Sequence, residues 1–351
     1  MKAKMVIFHN FYSPYRNKFF NLLSERYDLT VIYLQSQDAE GRIWSNKDDV
    51  HYKTVHIKPQ YIGSLALNNL ILNSQLTNPD IIVLIDNMPN LVMMFLYGLI
   101  YFKGSKKVLW TEDWAMGYGE PLTKTIYRNI FRRLILPKID ELWCFGEKVE
   151  IYWRSNFNLA GKNVKLLKCS PYVKEDFEVF IKKKTKKNTP PVFGYIGYFN
   201  KRKGIMELIN AFKSINSGNQ KLTLKIAGGG ESQTDVINAL DDNIAMVGYV
   251  EGSEKEAFFD SIDFAIIPSL KDPWGLVTNE ITRYGIIPII SDEAGSKEMA
   301  EGIGYIYTAG SQRSLINAIN WAVSLDQDEF LYRSNLCQIK SREYVLDDNI
   351  F

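Results

Sequence analysis

The stretch from Lys271 to Ala300 reads KDPWGLVTNEITRYGIIPIISDEAGSKEMA, and it follows an apolar run, DFAIIPS, that is typical of a buried strand. Asp272 and Glu280 stand eight positions apart around a Pro-Trp-Gly turn that leads into a predicted helix. The start of a helix offers unpaired N–H groups and a positive dipole end, which suit hydroxyls and anions. Two carboxylates at different heights suit two sets of vicinal hydroxyls, such as those of a ribose and a hexose. The stretch predicts a strand–turn–helix unit that binds a polar ligand.

Apolar runs alternate with helical patterns along the rest of the chain, and they are continuous rather than alternating in polarity. Such runs are typical of strands buried on both faces of a parallel sheet. Helices are predicted over 15–26, 204–214 and 253–261. The alternation predicts an α/β, doubly wound architecture. The predicted strands are KMVIF, LTVIYL, DIIVLID, KVLW and ELWCF in the first half, and VFGYIGYF, LTLKIAG, IAMVGYV, DFAIIPS and IPIIS in the second.

The length of 351 residues and the 46% hydrophobic content predict two domains with substantial cores. Residues 182–191 carry five lysines and end in Pro-Pro, which predicts a solvated linker. The domains are therefore placed at 1–181 and 192–335. We expect two Rossmann-like domains facing each other across a cleft, with the ligand at the carboxyl ends of their strands.

Charge and cysteine content exclude several classes of protein. The net charge of only +2 gives no reason to expect nucleic acid as a partner. Cys144, Cys169 and Cys337 form no CxxC pair, which predicts neither a disulfide framework nor a zinc site. The start of the chain lacks a secretory pattern, and the apolar run 91–102 is too short to span a bilayer, so a buried helix is expected there. These features fit a cytoplasmic protein.

The nonapeptide Asp-Pro-Trp-Gly-Leu-Val-Thr-Asn-Glu, residues 272–280, resembles the acid-x7-Glu motif of the retaining glycosyltransferases of family 4, whose domain is called glycosyl transferases group 1. The chain resembles further motifs of that family, in the family's order, at residues 195–212, 225–231, 246–254 and 284–307. Two departures stand out, because Tyr198 takes the place of the family's arginine and Asp272 that of its usual glutamate. The resemblance implies the GT-B fold and retaining transfer of a hexosyl group.

The resemblance also implies a donor site for a UDP- or GDP-sugar in the second domain. Glu280 would bind the ribose, Asp272 the transferred sugar and Lys203 the diphosphate. Lys201 or Arg202 either compensates for the missing arginine or faces solvent. No metal or other cofactor is expected, because lysine and backbone amides would meet the leaving-group charge. The other donor contacts implied are Gly197, Tyr198, Tyr249, Val250, Trp274, Gly275, Leu276 and Val277.

Acceptor contacts are predicted in the first domain. Tyr15 and Arg16 lie in a segment that resembles the opening of a subset of the family, and they either bind the acceptor or diphosphate or serve as packing and surface charge. Glu112, Asp113 and Trp114 place acids beside aromatic rings, a combination that suits a sugar. Either acid could take the proton of the acceptor hydroxyl, or could instead cap a helix.

Residues 124–138 have the pattern of a basic amphipathic helix, which predicts either peripheral contact with an anionic membrane or an ordinary helix with its charges in water. The resemblance implies a glycan or lipid-linked acceptor in bacterial surface polysaccharide synthesis. It also implies that residues 336–351 return to the N-terminal domain. Two other functions compete with this interpretation: a GT-B nucleotide-sugar epimerase, and a non-catalytic nucleotide-sugar-binding subunit in which Tyr198 and Asp272 mark a decayed site.

Overall fold

The structure, a computed structural model, describes residues 1–35, 50–56, 60–62, 65–67, 79–87, 104–114, 118–177, 184–218 and 221–346. The chain separates into two compact units, Met1–Pro171 with Leu346, and Tyr172–Val345. The second unit contains residues 184–191 of the predicted linker and residues 336–345 of the predicted returning segment. Residues 182–183, 347–351 and the helix predicted over 91–102 lie outside the described residues.

A parallel sheet forms the core of the first unit. Its strands are β1 Lys4–Phe11, β2 Asp28–Gln35, β3 Lys53–His56, β6 Ile81–Ile85, β7 Lys106–Thr111, β8 Glu141–Phe145 and β9 Asn163–Leu167, and a short antiparallel pair is formed by β4 Gln60–Ile62 and β5 Leu65–Leu67. The order across the large sheet is β3-β2-β1-β6-β7-β8-β9. The central strands are almost fully buried, and all five strands predicted here are confirmed.

The sequence did not predict the two outer strands of this sheet. Residues 53–56 are mostly exposed, and residues 163–167 bury only their last residue. An edge strand has a neighbour on one side only and is not covered on both faces, so it needs no continuous apolar run. Helices α1 Asn17–Arg26, α2 Leu122–Ile135 and α3 Glu147–Asn156 belong to the same unit. The predicted helix over 15–26 begins as a 3-10 turn at Pro14–Arg16.

Another parallel sheet forms the core of the second unit. Its strands are β10 Val192–Tyr198, β11 Thr223–Gly229, β12 Ile244–Gly248, β13 Phe264–Ile267, β14 Ile287–Ser291 and β15 Tyr305–Tyr307. The order across this sheet is β12-β11-β10-β13-β14-β15. The helices are α4 Ile205–Asn216, α5 Gln233–Asn238, α6 Gly252–Asp260, α7 Val277–Arg283, α8 Gln312–Ser324 and α9 Gln327–Glu343. The five strands predicted in this half are confirmed, and the two parallel sheets confirm the α/β architecture.

The described part of the lysine-rich segment, residues 184–191, packs against two helices of the second unit, to which it belongs. Lys184 donates from Nζ to the carbonyls of Phe259 and Ile262, at 2.9 and 2.7 Å, around the C-terminal end of α6. Lys187 binds the carbonyls of Val323 and Leu325 at the end of α8. Cations are favourable partners for the unpaired carbonyls at the C-terminal end of a helix. These two lysines therefore cap the C-terminal ends of α6 and α8, a role that their clustering in the sequence does not reveal.

Candidate functional site

A loop after β10 brings Lys203 close to the stretch Asp272–Glu280, called the acidic turn below. Asn200 caps the 3-10 turn Lys201–Lys203, because its side-chain oxygen accepts a hydrogen bond from the Lys203 N–H at 2.9 Å. Gly204 follows with φ +69°, and a Cβ there would lie 2.0 Å from the Pro268 carbonyl oxygen. Only glycine allows both the left-handed backbone and this close approach. The loop therefore packs directly on the segment that follows β13.

Lys203 and Asp272 form an ion pair at this contact, with 2.5 Å between Nζ and Oδ2. The Arg202 guanidinium lies 3.8 Å from the other carboxylate oxygen, and it donates to the Lys271 carbonyl at 3.1 Å. Asp272 itself is buried, whereas the two cations are partly exposed. Two positive charges thus surround one negative charge, which leaves the cluster net positive and able to attract an anion.

Backbone hydrogen bonds with residues 293–296 hold the turn that follows Asp272. The Asp272 N–H donates to the Glu293 carbonyl at 3.1 Å, and the Gly295 N–H donates to the Asp272 carbonyl at 2.9 Å. Gly275 has φ +89°, which permits the tight bend. Within the part of the chain that the structure describes, the backbone N–H groups of Trp274, Gly275 and Leu276 donate no hydrogen bond. Three donors are therefore open beside the Lys203–Asp272 pair.

Glu280, on α7, forms a second ion pair. Its Oε1 lies 2.5 Å from the Nζ of Lys255 on α6, and the two side chains are 25% and 30% exposed. Sequence reasoning missed Lys255, although it directly follows the segment 246–254, which resembles a motif of the family. The structure brings Lys203 to Asp272 and Lys255 to Glu280, so each acid of the turn has its own cation.

The other predicted donor residues lie on the carboxyl side of the same sheet. Tyr198 ends β10 beside Gly229, and its carbonyl accepts a hydrogen bond from Tyr195 at 2.9 Å. Tyr249 is 68% exposed in the loop after β12 and donates to Glu251. Among the remaining predicted donor residues, Gly197, Trp274, Leu276, Val250 and Val277 are buried or partly buried.

In the first unit the predicted acceptor residues divide into two groups. Arg16 is buried and donates from Nη2 to Glu112 Oε1, the same oxygen that accepts the Trp110 indole N–H at 2.6 Å. The guanidinium also lies 5.2 Å from the Trp110 ring and 5.3 Å from the Tyr15 ring. Burial opposes the charge on Arg16, but the Glu112 carboxylate, Cys169 and Tyr15 together outweigh it, so the pKa of Arg16 is raised. Tyr15, Arg16 and Glu112 are thus brought together.

Asp113 and Trp114 do not join that group. The Asp113 side chain accepts the Trp114 backbone N–H at 2.9 Å and lies 3.9 Å from Arg128 on α2. Trp114 is buried in the hydrophobic core, with the Lys148 ammonium 4.4 Å from the centre of its ring. These two residues connect β7 to the helices that cover the sheet.

Two arginines of the predicted basic helix turn inward. Arg128 is buried beside Glu120, with 2.9 Å between Nη2 and Oε2. Arg132 is fully buried and binds both carboxylate oxygens of Asp86, at 3.1 Å from Nε to Oδ1 for one of them. The outward face of α2 instead exposes a row of apolar side chains, namely Leu122, Ile126, Tyr127, Ile130 and Leu134.

His9 lies at the carboxyl end of β1 in an aromatic environment. Its ring centre is 5.6 Å from that of Trp110 and 5.7 Å from that of Phe20, and its Nδ1 lies 3.1 Å from the Phe11 carbonyl oxygen. Burial, reinforced by the nearby Arg16 charge, lowers the pKa of His9 to about 4. His9 is therefore neutral at pH 7.

No group of three or more His, Cys, Asp or Glu side chains among the described residues is arranged to hold a metal ion. In the same part of the chain, no helix has both the length and the apolar character needed to cross a membrane.

Residues 176–335 match the family model described as "Glycosyl transferases group 1". The matched range lies in the second unit and includes both ion pairs of the acidic turn. This part of the chain is therefore similar in sequence to a group 1 glycosyl transferase domain.

Curated relatives are aligned over part of their length. An uncharacterized 41.2 kDa protein in the cps region of Klebsiella pneumoniae is 32% identical over 103 residues, covering 29% of this chain and 27% of that protein. A glycogen synthase of Alkaliphilus metalliredigens is 26% identical over 156 residues, covering 40% of this chain and 32% of the relative. The alignments thus span about a third, or less, of the relatives.

The solved structure of Anabaena HepE in complex with UDP-glucose is similar over nearly the whole chain. The TM-score is 0.69 at 14% sequence identity, and the match covers 97% of this chain and 95% of that chain. Similarity at this level of identity identifies the fold. The protein has the GT-B fold, which is built from two Rossmann-like α/β domains.

Proposed function

We propose that this protein is a glycosyltransferase that moves a hexosyl group from a nucleoside diphosphate sugar to a hydroxyl of a glycan or lipid-linked acceptor. The observation that carries the proposal is the Lys203–Asp272 ion pair beside three open backbone N–H groups. A cationic side chain next to unused amide donors is the combination that binds a diphosphate. The match of the surrounding residues to the group 1 model supports the same conclusion.

In this proposal the donor diphosphate takes over Lys203 from Asp272. Lys203 and Arg202 would bind its oxygens together with the amides of residues 274–276, while Asp272 becomes free to accept a hydroxyl of the transferred sugar. Glu280 binds the ribose. We favour UDP over GDP as the nucleotide, because the similar HepE structure is a complex with UDP-glucose.

The chemistry requires one bond to form and one to break at the anomeric carbon. The bond to the diphosphate oxygen breaks, the acceptor oxygen bonds on the same face, and the acceptor proton passes to the departing phosphate. Positive charge on the anomeric carbon and negative charge on the phosphate both grow in the transition state. Lys203, Arg202 and the open amides would stabilise the phosphate charge without a metal ion.

The first unit would supply the acceptor contacts. Glu112 uses Oε1 to bind Arg16 and Trp110, and its Oε2 accepts no hydrogen bond from the described residues. A carboxylate held rigidly by one oxygen can present the other to an acceptor hydroxyl. The similarity to a glycogen synthase and to a protein of a cps region supports an acceptor that is a glycan in polysaccharide synthesis.

A membrane contact through residues 124–138 cannot use Arg128 and Arg132, because both side chains are buried. The exposed apolar row of α2, with the exposed cations Lys124 and Arg133 on the same helix, remains as the surface that would lie on an anionic bilayer. Co-sedimentation with phosphatidylglycerol vesicles tests this. Ile126→Glu should reduce binding several-fold, whereas equal binding of the wild type to phosphatidylcholine and phosphatidylglycerol would argue against the cationic contribution.

The donor site is tested by thermal shift and calorimetry with UDP-glucose, GDP-mannose and ADP-glucose, each with and without EDTA. A ligand at 100 times its Kd should stabilise the protein by about 2.7 kcal/mol. We expect one nucleotide sugar to do so, with no effect of EDTA and with loss of binding in Lys203→Met. Lys213→Met, which removes an exposed lysine from α4, is the matched control. Absence of binding by all three ligands would contradict the proposal.

A further inference from the structure

The ion pair between Lys255 and Glu280 holds only one of the two carboxylate oxygens. Lys255 Nζ lies 2.5 Å from Oε1, and no described residue donates a hydrogen bond to Oε2. Both side chains are partly exposed, so a ligand can reach them. Glu280 therefore has a free acceptor next to an ammonium group that still has N–H donors to offer.

The lysine is held in place by packing as well as by charge. Its ammonium lies 5.8 Å from the centre of the Phe259 ring, which is buried one turn further along α6. An ordered lysine loses less conformational freedom when a ligand binds. The position of the ammonium is thus set before any ligand arrives.

Arg283, three residues after Glu280 on α7, already has other partners. The Arg283 guanidinium donates to the Asp176 carbonyl and lies 4.8 Å from the Tyr172 ring and 5.1 Å from the Phe177 ring. These contacts direct Arg283 to the segment 172–177. Among the described residues, Lys255 is therefore the cation placed to share a ligand with Glu280.

We propose that Lys255 is a specificity-determining residue of the donor site and that it recognises the ribose diol of the nucleotide jointly with Glu280. The inference rests on the proposed function. One ribose hydroxyl would donate to Glu280 Oε2, and the oxygen of the neighbouring hydroxyl would accept an N–H of Lys255. A vicinal diol supplies one donor and one acceptor at adjacent carbons, which matches a carboxylate oxygen beside an ammonium group. A 2′-deoxyribose leaves one of the two protein groups without its partner.

The experiment compares the Kd of UDP, GDP and ADP with that of their 2′-deoxy counterparts by calorimetry. The wild type should bind the ribonucleotide it prefers about tenfold more tightly than the deoxy form, as expected for one hydrogen bond to a charged group. Lys255→Met should weaken ribonucleotide binding by about tenfold and reduce the preference for ribose to about twofold or less. Lys255→Arg should restore part of that preference, and Lys213→Met should change neither value.

The outcomes separate this inference from the proposed function. Binding with an unchanged ribose preference in Lys255→Met overturns the role of Lys255 and leaves the glycosyltransferase proposal standing. A wild type that binds none of the nucleotides overturns both. A melting temperature of Lys255→Met close to that of the wild type, together with the lost ribose preference, supports recognition over a purely structural role.

Discussion

The two units hold acids at the carboxyl ends of parallel strands, but with different cations. In the first unit, Asp86 follows β6 and Glu112 follows β7, and both are bound by buried arginines. Arg132 binds Asp86 with a two-pronged contact, and Arg16 is enclosed by aromatic rings. The planar guanidinium suits this role, because it stays charged when buried and fixes the geometry of a carboxylate.

In the second unit the partners are lysines that water can reach. The side chains of Lys203 and Lys255 are 21% and 30% exposed in their pairs with Asp272 and Glu280. An ammonium group in contact with water exchanges its partner more readily than a buried guanidinium. The difference indicates that the first unit uses its ion pairs to fix positions, and that the second uses them to receive a ligand.

Removal of a buried arginine should produce the largest effect. Arg132→Met would leave Asp86, whose side chain is 2% exposed, as an unpaired buried charge. We expect a loss of about 3–5 kcal/mol in the free energy of unfolding of the first unit. Hydrogen exchange of the β6, β7 and β8 amides in urea measures it. The double variant Arg132→Met/Asp86→Leu should recover most of the loss, and a single-variant loss below about 1 kcal/mol would refute the comparison.

The burial of the first unit should also appear as a pH dependence through His9. Its folded pKa of about 4 lies below the ordinary value of 6.5, so the unfolded chain takes up the proton first. The contribution of neutral His9 to the free energy of unfolding is fully present above about pH 6.5 and is lost as the pH falls toward 4. The loss is up to about 1.4 kcal/mol per pH unit and about 3 kcal/mol in all. The difference between wild type and His9→Asn in urea unfolding at pH 7 and pH 4 isolates it. Equal pH slopes in the two proteins would speak against the buried, neutral His9.

A lysine of the second unit should matter little for stability and strongly for ligand binding. Lys203→Met removes a partly exposed partner, while Arg202 and Ser269 remain near Asp272. The expected loss of stability is about 1 kcal/mol, whereas the affinity for the nucleoside diphosphate should fall at least tenfold. Urea unfolding and calorimetry on the same variant give both numbers. A loss of stability as large as that of Arg132→Met would remove the distinction between the units.

The smallest effect is expected for a pair that is exposed on both sides. Lys53 and Asp28 meet at 2.8 Å between β3 and β2, with side chains that are 69% and 43% exposed. Lys53→Met should change the free energy of unfolding by no more than about 0.5 kcal/mol, because solvent screens such a pair. The same urea experiment provides the reference for the other variants, and a loss above about 1 kcal/mol would show that exposure alone does not order these pairs.

Much of the architecture could be predicted from local sequence. Each of the ten predicted strands is present, because a strand buried on both faces must be apolar throughout. The edge strands β3 and β9 were missed for the converse reason. The motifs at 195–212 and 272–280 resemble those of the group 1 family, and residues 176–335 match the model of that family.

The amino-acid sequence by itself determined the alternation of strands and helices, the acidic turn and the residue types available for a ligand. The tertiary structure decided which charges meet. Lys203 and Asp272 are 69 residues apart and Lys255 and Glu280 are 25 apart, and no periodicity links them. The tertiary structure also directs Arg128 and Arg132 inward, because their partners Glu120 and Asp86 lie on that side of α2. Electrostatic partners depend on distance in space and on access of water, and both are set only when the strands and helices pack.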